Sequence, residues 1–355
     1  MKKGYLVLED DIVFEGVWCG GMPRAGEVVF NTAHSGYEEI ATDPSYYSQI
    51  MVMSAPMQGN YGVDSKDWES RSMWIEGFVS LEMQMSRRDS SWRDQLVQNG
   101  IPVVTEIDTR RIVLRLRELG TPWGALVAAD DEDEAKRIAH ELIVEKKKNS
   151  RDWVHAVSRS SIEIRQGQNT NGPRVGVLDF GCKENTLREL QKRCSEVAVF
   201  PSRTSVAEIK KWNPSGLLLS NGPGDPSAVE IAVDTVRDLL GWKPIFGICM
   251  GHQILSLALG ARTYKLKFGH RGSNHPVRDL LLNQIYVTSQ NHGYAVDPTS
   301  LPEGVKVTHV NLNDQTIEGV EFLAKSCWSV QFHPESHPGP NEAVKLFDYF
   351  IGKLV

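Results

Sequence analysis

A two-domain α/β protein is predicted, with an N-terminal mixed α+β domain followed by a doubly wound parallel-sheet domain. Three observations predict it. After Arg174 apolar β runs alternate with amphipathic helical runs, which is the pattern of a parallel sheet covered on both faces. Before about residue 125 the apolar runs are short and separated by turn signals. Between them "RQGQNTNGP", residues 165–173, is polar and rich in turn formers. The expected division is therefore 1–164, a linker at 165–173, and 174–355.

In order along the chain, "MKKGYLVLEDDIVFEG" reads as two short strands around an acidic turn. Tyr5 to Leu8, Glu27 to Phe30, Gln49 to Met53 and Trp74 to Val79 are further strand-like runs. "DEDEAKRIAHELIVEKKKNS" begins acidic and ends basic, as a surface helix does when its ends complement the macrodipole. Strand and helix then alternate: "RVGVLDFG", "KENTLRELQKRC", "EVAVFPS", "SVAEIKKWN", "GLLLSNGPGDP", "AVEIAVDTVRDLLG", "KPIFGIC" and "GHQILSLALG". Ligands of such sheets sit at the carboxyl ends of the strands, where Gly181, Asn221 to Asp225 and Cys249 fall. "QIYVTSQNHGYAV", "VKVTHVNL", "TIEGVEF" and "CWSVQFHPE" form a mainly β stretch, closed by a last helix near 341–353.

Composition narrows the function. Lys and Arg number 39 against 45 Asp and Glu, a formal charge of -6, so no global basic field attracts nucleic acid. The most apolar stretch, near 244–261, is interrupted by Gly247, Gly251, His252 and Gln253 and is too polar to span a bilayer. A cytoplasmic protein with no nucleic-acid or membrane partner is expected. The 5 cysteines are scattered without CxxC or Cys/His ligand spacing, so neither a disulfide framework nor a metal site is expected.

One cysteine stands apart. Gly247-Ile248-Cys249-Met250-Gly251 has the form G-x-C-x-G, in which small flanking residues permit a sharp strand-to-helix turn that projects a nucleophile. At a helix N-terminus the dipole and free amides would favour the Cys249 thiolate. On the pentapeptide alone, a small apolar residue in a tight turn accounts for Cys249 equally well. A nucleophile needs a base and the base an orienting group. In "WSVQFHPES", His333 and Glu335 are two apart in an extended run, so both can lie on one face, stiffened by Pro334. The amide of Met250 and the glycine loop "SNGPGDP" offer donors for a developing oxyanion. That loop lacks Gly-Lys-Ser/Thr, and no G-x-G-x-x-G is present, so nucleotide binding is not expected.

Together "NGPGDP", "GICMGHQ" and "FHPE" resemble the class I, triad-type glutamine amidotransferases. "LVLEDDIVFEG", "GEVVFNTAHSGYEEIATDPSYYSQI", "GNYGV", "EIDTRRIVLRLRELGTPWGAL", "VLDFGCKENTLREL" and "SQNHGYAVD" extend the resemblance, from near residue 5 to the C-terminus, to the small glutaminase subunits of carbamoyl-phosphate synthetases. The resemblance implies a Cys249 nucleophile, His333 as acid and base, and Glu335 as its orienting group. It also implies that L-glutamine is held by Ser45, Gly222, Gly224, Met250, Gln253, Asn291, Gly293 and Tyr294. Departures from the family pattern are Glu184, where a basic residue is common, Tyr294, where Phe is usual, and "PMQGN" before and around Gly59.

By the same resemblance the partner is a separate large synthetase subunit, in a heterodimer or higher assembly, that consumes bicarbonate and ATP to make carbamoyl phosphate for pyrimidine or arginine biosynthesis. No cofactor is implied in this chain; ATP and Mg belong to the large subunit. A triad glutaminase serving another ammonia acceptor, and a non-catalytic regulatory subunit on the same fold, are the alternatives.

Overall fold

The computed structural model describes residues 2–86, 91–148 and 152–354. It divides into two compact units, Met1–Arg151 and Asp152–Val355.

The first unit is built on a closed barrel. Its strands are β1 (Lys3–Leu8), β2 (Val13–Gly20), β3 (Arg24–Asn31), β4 (Gln49–Met53), β6 (Gly77–Val79), β8 (Val103–Thr105) and β9 (Trp123–Ala128), in the order β1-β2-β8-β6-β4-β3-β9. Two-residue strands β5 (Met57–Gln58) and β7 (Glu82–Met83) pair separately. Helices α1 (Tyr37–Thr42), α2 (Trp92–Gln98), α3 (Thr109–Leu119) and α4 (Glu132–Lys148) complete it. Because strand side chains alternate between faces, Leu6, Val28, Ile50, Val52, Val104 and Leu126 cluster with Ile112 and Leu116 of α3. The opposite set divides, with Tyr5, Val7 and Val127 against Ala135, Ala139 and Ile143 of α4. Asn149 and Ser150, at the end of the helical stretch expected there, lie outside the described residues.

The second unit carries α5 (Trp153–Val157), β10 (Glu163–Gln166), β11 (Arg174–Asp179), α6 (Glu184–Arg193), β12 (Glu196–Pro201), α7 (Val206–Trp212), β13 (Gly216–Leu219), α8 (Glu230–Leu239), β14 (Ile245–Ile248) and α9 (Met250–Leu259). It continues with β15 (Thr263–Asp279), β16 (Gln284–Val296), β17 (Lys306–Asn311), β18 (Ile317–Phe322), β19 (Cys327–Val330) and α10 (Lys345–Gly352). One sheet runs β10-β12-β11-β13-β14-β19-β18-β17-β15-β16. From β12 to β19 the pairs are parallel, whereas β10 and the strands beyond β19 pair antiparallel.

The parallel part is doubly wound. Leu178, Ala198, Phe200, Leu217 and Leu219 pack with helices α7, α8 and α9 on one face. Val175, Val177, Val199, Leu218 and Phe246 meet Leu187 and Leu190 of α6 and Phe347 and Phe350 of α10 on the other. Burial on both faces is why these strands read as continuous apolar runs.

The division between units falls upstream of the polar segment 165–173, and Arg165 and Gln166 are strand residues, not linker. β10 pairs with the edge strand β12, from Glu163 opposite Val199 to Gln166 opposite Glu196. Glu184 fixes the same segment by accepting from Arg159 at 2.9 Å and from Arg165 at 2.6 Å. The acidic residue at position 184 thus has a local partner set in this chain.

Candidate functional site

The site begins at the end of β14. Ile248 closes the strand, Cys249 turns with φ 53 and ψ -104, and α9 starts at Met250. A non-glycine residue at positive φ is costly and persists only where its surroundings over-determine it. Here the backbone is clamped from both sides: Cys249 N donates to Val330 O of β19 at 2.9 Å, and Gly251 N to Ser220 O after β13 at 2.9 Å. The glycines are a packing requirement. A Cβ on Gly247 would lie 2.6 Å from Gly251 O, and one on Gly251 would lie 2.2 Å from Leu219 O.

His333 follows β19 and is held by its N–H to Ser289 O of β16, at 2.9 Å. Its Nδ1 lies 2.7 Å from Glu335 Oε1, and both residues are buried. The contact is not made along the extended run that the spacing suggests: Pro334 and Glu335 lie in a turn closed by Ser336 N donating to His333 O at 3.2 Å, which folds the carboxylate back onto the ring. Its Nε2 is buried and has no hydrogen-bond partner among the described residues. That is the nitrogen left to handle a proton.

Lys183, which lies within "VLDFGCKENTLREL" but is given no role by it, stands behind the pair. Lys183 Nζ lies 3.4 Å from Glu335 Oε1 and donates to the Ser336 carbonyl, while Asn185 donates its side-chain amide to the Glu335 carbonyl. Burial opposes the charge on Glu335, but His333 and then Lys183 outweigh it and hold the carboxyl down at about 2. Burial likewise opposes a charged His333, but Glu335 and then Cys249 outweigh it and lift the imidazole to about 10. Glu335 thus favours the charged, proton-donating form of the ring.

The glutamine residues implied by resemblance divide between the two units. Gly222 touches the Phe180 carbonyl so closely that a Cβ would lie 2.2 Å from it, and Gly224 turns with φ 91 against Trp153. Met250 opens α9. Gln253, on its first turn, donates through Nε2 to Tyr294 O at 2.8 Å and to Gln331 Oε1 at 3.0 Å, tying the helix to β16. Asn291, Gly293 and Tyr294 are all on β16, and Cys249 Sγ lies 3.5 Å from Asn291 O. The second unit therefore brings together Cys249, His333, Glu335, the glycine loop, Gln253 and the Asn291 stretch. Ser45 belongs to the first unit, buried in a 3-10 turn capped by the Asp43 carboxylate, which accepts from Ser45 N at 2.9 Å.

The arrangement suits acyl transfer, with a cysteine at a strained elbow and a buried imidazole oriented by a carboxylate that a lysine neutralises. The family model for class-I glutamine amidotransferases matches residues 176–353. The model for the carbamoyl-phosphate synthase small-chain domain matches residues 6–126. The chain is 46% identical to a carbamoyl phosphate synthase small chain of Symbiobacterium thermophilum, over 97% of this chain and 96% of that relative. It is 43% identical to the small chain of Bacillus caldolyticus, over 99% of this chain and 96% of the relative. With the small chain of Listeria monocytogenes the identity is 44%, again over 99% and 96%.

Proposed function

Because the chain belongs to the carbamoyl phosphate synthase small-chain family, we propose that it is the glutaminase subunit, releasing ammonia from L-glutamine for a large synthetase subunit. The observation that carries this reading is the Cys249 elbow in the same buried site as the His333–Glu335 pair.

In the proposed reaction the Cys249 thiolate attacks the side-chain amide carbon of glutamine, forming a carbon–sulfur bond and an oxyanion. The backbone amide of Met250 and those of the loop at Gly222 and Gly224 stabilise that oxyanion. His333 gives its proton from Nε2 to the leaving nitrogen, the carbon–nitrogen bond breaks, and ammonia departs from a glutamyl thioester. Water then attacks the thioester while His333 takes up a proton, glutamate leaves, and the thiol is restored. Glu335 keeps the ring oriented throughout and favours its charged form before the proton is given up, and Lys183 keeps Glu335 ionised.

Released ammonia must stay out of bulk water, where protonation would destroy its nucleophilicity. A protected route to the large subunit follows, together with a glutamine site to which Gln253, Asn291, Gly293 and Tyr294 of the second unit contribute. ATP and Mg serve the large subunit, which joins ammonia to bicarbonate to give carbamoyl phosphate. The complex acts in the cytoplasm and supplies pyrimidine or arginine biosynthesis. Among the described residues no helix is long and apolar enough to cross a membrane.

The test is Cys249→Ser in the reconstituted complex. Carbamoyl phosphate formation from glutamine should fall at least about 1000-fold, in line with loss of a covalent nucleophile, while formation from added ammonium salt is unchanged. Equal loss with both nitrogen sources would refute the role given to Cys249.

A further inference from the structure

No Cys/His ligand spacing marks this sequence, yet the outer strands of the second sheet gather a ligand set. His270 is on β15, His292 on β16 and Glu318 on β18, and all three are buried. One donor atom from each lies within 4.8 Å of the other two. The cluster lies outside the Cys249–His333–Glu335 group.

The remaining contacts of each donor define its chemistry. His292 Nδ1 lies 2.8 Å from the Tyr294 carbonyl oxygen, which can only accept, so the ring proton is on Nδ1 and Nε2 presents a lone pair. That Nε2 is buried, has no hydrogen-bond partner among the described residues, and faces Glu318 Oε1 at 4.0 Å. Glu318 in turn accepts amide protons from Asn311 at 2.9 Å and from Gln290 at 2.9 Å, one on each carboxylate oxygen. A buried lone pair opposite a buried carboxylate oxygen is unfavourable unless a cation stands between them.

His270 completes the set. Its Nε2 lies 2.8 Å from Asp314 Oδ2, and its Nδ1 faces both Glu318 Oε1 at 3.5 Å and the Asn311 side-chain amide nitrogen at 3.4 Å. An imidazole oriented by a carboxylate on one nitrogen, and another oriented by a carbonyl, is how metal-binding histidines are usually held. Two imidazoles and a carboxylate suit a borderline divalent ion such as zinc.

We infer that His270 Nδ1, His292 Nε2 and Glu318 Oε1 form a structural site for a divalent transition metal, with zinc the best match. A bound zinc lies roughly 2.0–2.2 Å from such donors, so binding draws the rings and the carboxylate slightly inward. The ion would tie β15, β16 and β18 together directly behind residues 291–294. Its competitor for the same position is a proton on His270, which would pair with Asp314 and Glu318.

The untagged full chain, purified without chelator, is analysed for metal, stripped, and titrated with zinc against a chromophoric chelator. About one equivalent per chain is expected, with a rise in Tm on zinc addition. Cobalt loading should give the intense visible absorption of a tetrahedral ion. Glu318→Gln, which keeps the shape and the amide contact, should reduce zinc uptake by at least about tenfold. A wild-type chain that takes up no zinc and shows no zinc-dependent Tm would overturn the site in favour of the proton. Equal uptake by wild type and Glu318→Gln would overturn it by placing the ion elsewhere.

Discussion

At Glu335 one carboxylate oxygen serves both His333 Nδ1, at 2.7 Å, and Lys183 Nζ, at 3.4 Å, and its burial makes the two cations interdependent. Replacing Glu335 by Gln keeps the shape and removes the charge that raises His333. The expected result is a fall in kcat smaller than that of His333→Ala, since an orienting group assists a proton transfer that the imidazole performs. The alkaline limb of the kcat/KM profile should also move at least about one pH unit lower, because the ring loses its principal stabilising partner. An unmoved limb would show that Glu335 does not set the protonation of His333. His333 and Glu335 were legible because their contact is local in sequence. Lys183 was not, because its bond to Ser336 spans 153 positions and depends on how β11 and β19 lie in the sheet.

The elbow turns strand order into reactivity, and its glycines separate packing from substrate contact. Gly251→Ala places a Cβ against Leu219 O, part of the β13 backbone, which cannot yield as a side-chain tip can. It should cost about 1–3 kcal/mol of stability, as overpacking does, and abolish glutaminase activity with a lowered Tm. Gly293→Ala is the counterpart: its Cβ would meet only Arg271 Nη2 at 3.4 Å, ordinary contact, so the fold should accept it. A raised KM for glutamine at unchanged Tm would identify Gly293 as a place where substrate approaches the backbone. Unchanged KM would remove it from the glutamine site. The β12 to β19 part of the sheet was legible from apolar runs buried on both faces. β15 was not, because Gly269, Gly272 and Pro276 break its pattern and its register shifts between Lys265 and His270. Barrel closure in the first unit was equally hidden, since β6 and β8 are three residues long and pair with strands distant in sequence.

For the molecule as a whole, the buried histidines impose a pH optimum of stability. His252 is fully buried, with Nδ1 2.8 Å from Ser329 Oγ and, among the described residues, no hydrogen bond at Nε2; burial, helped by nearby His309, lowers it to about 3. Burial likewise lowers His309 to about 4, although Asp279 opposes the shift. Both stay neutral in the folded state while an unfolded chain protonates them below about 6.5. Their contribution is thus fully present above pH 6.5 and is lost as pH falls towards 4 and 3. Each histidine adds up to about 1.4 kcal/mol per pH unit to that slope. His333 has the opposite sign. Raised to about 10, it contributes fully below pH 6.5 and loses that contribution as pH rises towards 10. Together the two signs give a stability maximum near pH 6.5 with decline on both sides. Urea midpoints measured from pH 4.5 to 9.5 should trace that dome, and His252→Gln should make its acid limb shallower, keeping the share due to His309, while leaving the alkaline limb in place. A midpoint independent of pH between 6.5 and 4.5 would mean that the folded state protonates these rings as readily as the unfolded chain, and hence that they are not sealed from water.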